Sequence, residues 1–442
     1  MDQEPDYELD AYLRRPDEKD ILCDLKLWLP RDPSADGRME VVAIGVNATH
    51  ALHDQVTFVS EESVEAAGLR LEAREILVRN SHSSGRRKAG GARLTIAHLG
   101  TLRIETRTRV ASDGESGAGE LKGLHFALSE IAYGRPLHGT TVDYHGNRTV
   151  HQGKPKVVGL VHEGETIQFE LEQHWTWRSD GKTSVSASST PVFNVLNLCQ
   201  CSADSVNGLT DLAKDACMFL TLAARHLVVI HSVVIVSERA IVQDWFNPLG
   251  RLRSQTEEDA CGPLVCPDDV EKYFERASLF WRDLNPIKCD AIRLAVFAMH
   301  PFSNRSLEGG FLAMFSSMEG IAKRWGRETG TLRNKIDALL QMYPIGIAGL
   351  WPIFDTAAGP GLYWIRNELA HGRSIARFAD GALTLAHDHL QLWLEHILLA
   401  VVGYSNRQHR LDWLRRQVVV QLAQVASMQA SLAEAERQAK KV

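Results

Sequence analysis

The chain has 442 residues, with 49 Lys and Arg against 55 Asp and Glu and a formal net charge of -6. Hydrophobic residues make up 44% and charged residues 24%, which excludes a wholly disordered chain, because disorder needs low hydrophobicity. The length suggests two or three domains, and the mild acidity confines any nucleic-acid role to a local patch.

The acidic start, residues 1–10, carries no apolar run, so no signal peptide is read there. The most apolar stretch, Met218 to Val236, contains Arg225, His226 and His231. It falls short of the roughly 20 clean apolar residues of a spanning helix, so no membrane association is expected. Seven cysteines scattered over the chain read as reduced thiols, and the expected location is the cytoplasm. Cys199 with Cys201, and Cys261 with Cys266, lack a second pair at zinc-finger spacing, so no metal and no cofactor is expected.

Residues 1–205 read as β-rich. Ile21–Leu29 and Leu102–Val110 alternate apolar and polar side chains. Met39–Val46, Arg93–Leu99, Lys156–Val161 and Thr166–Glu172 are further short strands. Gly- and Ser-rich breaks, Ser81–Gly91 and Ser112–Gly119, separate them. Many short strands predict a sandwich or a barrel-like sheet. After residue 205 the period becomes helical. Helices are predicted over Leu209–Arg225, Asp268–Leu284, Ile287–Met299, Leu307–Trp325, Leu332–Tyr343, Leu362–His371 and Asp388–Tyr404, with Leu227–Val236 as a strand or hairpin arm. Short links between the later helices suit an antiparallel bundle. Leu411, Val418, Val425 and Leu432 recur every seven residues, with Leu414, Gln421, Met428 and Ala435 in the paired positions. Either a short coiled-coil seam or an amphipathic helix packed on its own chain fits that spacing.

The expected fold class is therefore α+β. A β-rich, sandwich-like domain covers 1–205 and a helix-hairpin connector 206–266. A helical bundle covers 267–405, and a C-terminal helix, with coiled coil as one reading, covers 406–442.

One segment carries chemistry. Leu362 to Gly372 follows the chain-breaking Gly359, Pro360 and Gly361, and Gly372 is a C-terminal capping residue. On a helix here, Leu362, Ile365 and Leu369 form the buried stripe, and Asn367 and His371, four apart, share a face. Arg366 reaches alongside. His371 falls in the last turn, where the helix dipole favours an imidazolium. Arg holds phosphate bidentately and His moves a proton near neutral pH, so the set suits phosphodiester chemistry with the RNA's own 2′-hydroxyl as nucleophile. Cleavage benefits from both a base and an acid, which a face-to-face homodimer supplies.

The run Arg366 to His371 resembles the Arg, four to six residues, His signature of HEPN ribonucleases, including a polar residue directly after the Arg. The segment Ser306 to Glu319 resembles the early HEPN helix that ends in a Glu near the motif. A β-rich front before a C-terminal HEPN bundle is similar to ApeA-like anti-phage proteins. The resemblance covers about residues 267–405. It implies a metal-independent, dimeric endoribonuclease that leaves 2′,3′-cyclic phosphate ends, with RNA (tRNA among the candidates) as substrate. It also implies abortive infection or a toxin-like role, with a phage-derived trigger sensed by the front domain. By position, Arg366 contacts phosphate, His371 transfers the proton, Asn367 assists and Glu319 orients Arg366.

The bare spacing is not selective. It occurs four times, at Arg93–His98, Arg225–His231, Arg293–His300 and Arg366–His371. Only the last combines a helix, a polar second residue, a terminal Gly and a preceding helical pair. Lys323, Arg324, Arg327, Arg333 and Lys335, opposed by Glu328 alone, together with Arg373, are candidate RNA-backbone contacts; an ordinary solvated face is the alternative. Arg86, Arg87 and Lys88 read as a surface loop, and His174 to Trp177 as strand core. His387, His389 and His396 resemble a metal cluster in composition only. Two competing readings remain. One is a non-catalytic, HEPN-like RNA- or nucleotide-binding dimerisation module. The other is a recognition domain for carbohydrate or peptide fused to oligomerising helices. The charge is uneven: residues 1–205 hold 23 basic and 30 acidic residues, and the remainder 26 and 25. The acidity belongs to the β-rich half and does not bar the helical half from RNA.

Overall fold

The computed structural model describes residues 7–14, 21–28, 38–44, 55–59, 69–84, 91–107, 121–129, 138–142, 148–152, 156–162, 165–179, 185–196, 198, 205–237, 240–246, 263–266, 269–300, 306–327, 329–345, 349–372, 381–404, 424–434 and 437, with backbone alone before residue 121.

The front of the chain is strand after strand. These are β1 (Tyr7–Arg14), β2 (Ile21–Trp28), β3 (Arg38–Ile44), β4 (Gln55–Val59), β5 (Leu69–Ser84) and β6 (Gly91–Arg107). All their pairings are antiparallel: β1 with β2, β2 with β3, β3 with β6, β6 with β5, β5 with β4, and β4 back to β1. That circuit is closed, so the six strands form a ring, though β4 joins β1 over Tyr12–Arg14 alone. Of the sandwich and barrel readings, these pairings describe the barrel.

β6 is the pivot. The sequence suggested two strands, Arg93–Leu99 and Leu102–Val110, divided at Gly100. The chain instead runs through Gly100 as one 17-residue strand. The change of partner falls there: Gly91–Ile96 pairs with β3, and Thr101–Arg107 pairs with a strand from much later in the chain. Glycine inside a strand commonly marks such a bend or close approach.

That later partner is β14 (Ala240–Phe246), hairpin-paired to β13 (Ile230–Ser237). The sheet continues through β7 (Leu121–Leu128), β12 (Val185–Val195), β11 (Glu165–Ser179) and β10 (Lys156–His162). β8 (His138–Val142) and β9 (Arg148–Gln152) form a separate hairpin. The hairpin expected within a 206–266 connector thus supplies two inner strands of the sheet.

Helix α1 (Val206–Ala224) precedes that hairpin and is buried on nearly every side, as an apolar helix wrapped by other elements should be. Phe126, Phe169 and Phe193 from the sheet pack at centroid spacings of 6.4 and 5.4 Å. On the other side, Phe219 of α1 meets Tyr273, Phe274 and Trp281 of α2 (Val270–Arg282) edge to face. Each such ring contributes roughly 1.5–3 kcal/mol by leaving water. One apolar cluster runs unbroken from Phe126 through Phe219 to Phe315 and Ile397. Glu271 of α2 accepts the Val157 N–H of β10 at 3.0 Å, tying helix to sheet.

The bundle follows: α3 (Pro286–Met299), α4 (Leu307–Ile321), α5 (Leu332–Met342), α6 (Leu362–Ala370) and α7 (Ala382–Val402). Asn285, Ser306 and Thr331 cap the first N–H groups of α3, α4 and α5. α7 starts six residues before the expected Asp388, after Gly381 at φ 83°, and ends at Gly403 at φ 79°. α4 lies at the centre, touching α3, α5, α6 and α7. Its buried residues Gly310, Phe311, Met314, Phe315, Met318 and Ile321 follow helical spacing. α4 ends in a π-turn, Ala322–Gly326. A Cβ on Gly326 would stand 2.3 Å from the Lys335 carbonyl, so only glycine lets the turn meet α5.

Residues 424–434 are helical. Val425, Gln429 and Leu432 are buried, and Val425 and Leu432 belong to the common core. The described part of the C-terminal helix therefore packs on its own chain, as the amphipathic reading had it. Leu411, Leu414, Val418, Gln421 and Ala435 lie outside the described residues.

Candidate active site

α6 places the motif. Its buried residues are Leu362, Ile365 and Glu368. The expected Leu369 is only half-buried, and Glu368 takes the third inward position; at 100° per residue, 362, 365 and 368 span an arc of about 120° on one side of the helix. Arg366 and Asn367 lie half-buried outside that arc, and His371, the C-cap, is exposed.

Glu319, in the last turn of α4, approaches α6. Arg366 Nη2 lies 3.3 Å from Glu319 Oε1, an ion-pair contact outside hydrogen-bond alignment. Arg366 Nη1 donates to Asn367 Oδ1 at 3.2 Å. The guanidinium thus stands between an amide, to which one of its five N–H groups donates, and a carboxylate in ion-pair range. The His371 N–H donates to the Asn367 carbonyl at 3.0 Å, which closes the last turn, and Gly372 leaves the helix at φ 68°. Arg366, Asn367, His371 and Glu319 are therefore gathered at one end of α4 and α6.

Two of the three other Arg and His pairs fall away on structural grounds. Arg225 is buried and bonded through Nε and Nη2 to buried Glu395. Arg293 is held by Asp215 and Asp290 and lies over the Trp281 ring. His300 is buried, and that desolvation pushes its pKa down to about 4. The side chains of Arg93 and His98 lie outside the described residues.

Of the basic residues, Lys323, Arg327 and Arg333 are exposed, and Arg324 and Lys335 half-buried. Arg324 bends back onto the Gly320 carbonyl at 3.0 Å. Arg333 covers the Phe354 ring at 4.6 Å. Phe354 in turn packs on Tyr363 of α6, 5.6 Å between centroids. A line of contacts therefore joins α5 to the motif helix one turn before Arg366. Arg373, the loop at 86–88 and the side chains of His174 to Trp177 lie outside the described residues.

The histidines of α7 have structural settings. His389 Nδ1 accepts the Trp351 N–H at 3.0 Å, which places the ring proton on Nε2. Burial lowers the pKa of His396. His387 sits against Gly310 of α4, where a Cβ would meet its Nε2 at 3.2 Å. Among the described residues no group of three His, Cys, Asp or Glu side chains is placed to hold a metal ion. Cys217 is buried, Cys266 and Cys289 half-buried, and all three are free thiols. Among the described residues no helix is long and apolar enough to cross a membrane.

Sequence reasoning missed the anchorage of α6. Trp351 is fully buried; its Nε1 donates to the Pro360 carbonyl at 2.9 Å, and its own carbonyl accepts from Trp393 Nε1. Asp355 caps the Gly361 N–H at 2.8 Å, and the N–H groups of Leu362 and Tyr363 bond to the carbonyls of Pro352 and Ile353. The tryptophan and the Gly359, Pro360, Gly361 turn were visible signals, but nothing local paired them.

The fold and site define a mixed α and β protein whose helical part presents an anchored Arg, an amide and an exposed His at one helix end. No protein-family model, no curated protein and no solved structure matches this chain.

Proposed function

We propose that the chain is a metal-independent endoribonuclease of the HEPN type. The observation that carries this reading is the Arg366 guanidinium, held between Asn367 and Glu319 at the end of the helix whose C-cap is the exposed His371. In this reading Arg366 binds the scissile phosphate and stabilises the charge that develops on it. His371 takes the 2′-hydroxyl proton or returns one to the leaving oxygen. A second copy supplies the complementary His, so the working unit is a homodimer. Lys323, Arg327 and Arg333 hold the RNA backbone, and the strand-rich half senses the trigger of an anti-phage, toxin-like response.

The test is cleavage of RNA by purified protein in chelator. Wild type should leave 2′,3′-cyclic phosphate ends, and Arg366→Ala and His371→Ala should lose activity by about 100-fold or more, the scale of a lost proton-transfer group. A His371→Ala protein that cuts RNA as fast as wild type overturns the assignment. A binding module is the second reading. In it Arg366 and His371 hold a phosphate without cleaving it, and tight RNA or nucleotide binding without turnover across pH 5–9 would establish it.

A further inference from the structure

The start of α6 is fixed from two sides. Residues 351–355 hold one side through the Gly361, Leu362 and Tyr363 N–H groups and through Trp351 Nε1 on the Pro360 carbonyl. The C-terminal helix holds the other. Gln429 is 3% exposed, and its Nε2 donates to the same Pro360 carbonyl at 3.1 Å, filling the second lone pair of that oxygen. Backbone meets backbone here as well. A Cβ on Gly359, whose φ is +148°, would stand 2.7 Å from the Gln429 carbonyl oxygen. Val425 and Leu432, one turn to either side, are sunk into the common core. The contact is therefore a seated one, and it joins residues 69 apart in the chain.

Most buried positions of a core-facing helix are apolar, because burying an amide costs free energy unless it is bonded. A buried Gln whose amide group ends on the turn before the motif helix therefore has a specific partner. α6 has only nine residues and moves as a short rigid rod. A displacement at Pro360 is carried to Arg366 and His371, and about 1 Å of misplacement can cost about 100-fold in rate.

We infer that Gln429 is a positioning residue for the motif helix: it clamps the Pro360 carbonyl and so sets where Arg366 and His371 stand. The inference that this controls catalysis rests on the ribonuclease reading above; the clamp itself does not. The experiment uses the full chain with Gln429→Leu and Gln429→Met, the second keeping the unbranched side-chain shape while removing the donor. Ser431→Ala, on the exposed side of the same helix, is the control. Amide hydrogen exchange is followed at Gly361, Leu362 and Tyr363, and steady-state cleavage is followed on a single-stranded oligoribonucleotide.

Both Gln429 variants should exchange roughly tenfold faster at those three amides, the scale of one lost buried hydrogen bond, with α2 and α3 unchanged. kcat, referred to the folded fraction measured on the same preparation, should fall about tenfold while KM stays within about twofold; a loss of folded protein alone lowers apparent kcat but leaves kcat per folded molecule unchanged. Unchanged exchange at the three amides, or faster exchange spread over the whole bundle in both variants, overturns the clamp. A wild type that leaves RNA intact, with exchange still raised locally in the variants, overturns the ribonuclease reading and leaves the clamp standing.

Discussion

Glu319 Oε1 and Arg366 Nη2 stand 3.3 Å apart, the point where the end of α4 meets the motif on α6. Both side chains are about one-third exposed, so the pair adds little to stability; exposed pairs contribute about 0–1 kcal/mol. Its effect is on where the guanidinium points. Glu319→Gln should leave the melting temperature within about 2 °C and, if the chain cleaves RNA as proposed, reduce turnover by about tenfold. Arg366→Lys should be as inactive as Arg366→Ala, because an ammonium cannot contact Asn367, Glu319 and a phosphate in one plane. Thermal melts and cleavage assays on the same preparations check both; an active Arg366→Lys would show that only charge is needed.

Arg225 and Glu395 behave differently, being 5% and 1% exposed in their side chains. Arg225 ends α1 at φ 56° and leads into β13, whereas Glu395 is on α7. The pair thus ties the end of α1 to α7 through the interior. Removing one partner strands a buried charge, so Arg225→Met should cost about 3–5 kcal/mol. Arg225→Met with Glu395→Leu should recover much of that loss. Urea unfolding of the two singles and the double measures the coupling. A double variant as unstable as the sum of the singles would contradict it.

Much of the bundle was legible because its helices repeat apolar residues every three to four positions between clear caps. Ser306 and Thr331 start helices as such residues do, and Leu362 and Ile365 are buried where the spacing put them. The strands were less legible. β5, with Glu72, Ala73, Arg74 and Glu75 near its start, is written in residues that favour helices, and pairing on both sides overrides that preference. Glu368 was missed because a carboxylate at an inward position violates the apolar pattern. Gln429 was missed because its reason for burial, the Pro360 carbonyl, lies 69 residues away.

Acid should destabilise the fold through His300. Burial is the first cause of its lowered pKa, reinforced by His226 and Arg225, while Glu395 opposes them. Its pKa is about 4 in the folded chain against about 6.5 unfolded. The unfolded chain therefore binds the proton more tightly, so this stabilisation is complete above about pH 6.5 and is lost as pH falls toward 4. Between pH 7.5 and 5 the loss should be about 2 kcal/mol from this residue. His300→Asn, which does not titrate, should flatten the slope of urea midpoint against pH in that window. An unchanged slope would place the effect elsewhere, with His396, also lowered by burial, as the next group to replace.

Gly361 is the tightest point in the approach to the motif. A Cβ there would meet the Phe354 carbonyl carbon at 2.4 Å and the Ile353 carbonyl oxygen at 2.8 Å. These are backbone atoms, bound to the Gly361–Tyr363 segment through the Tyr363 N–H at 2.8 Å, so they cannot swing aside as a side-chain tip would. Gly361→Ala must therefore either separate residues 352–355 from α6 or push α6 outward. Overpacking of this kind costs about 1–3 kcal/mol. Gly372→Ala offers the contrast, since a Cβ there meets nothing within 4 Å but φ is +68°; it should cost about 1 kcal/mol from backbone strain alone. If RNA turnover depends on where α6 sits, Gly361→Ala should lose far more activity per unit of lost stability than Gly372→Ala. Paired measurements of unfolding free energy and kcat test that, and equal activity losses at equal stability would show that the approach to α6 does not set the site.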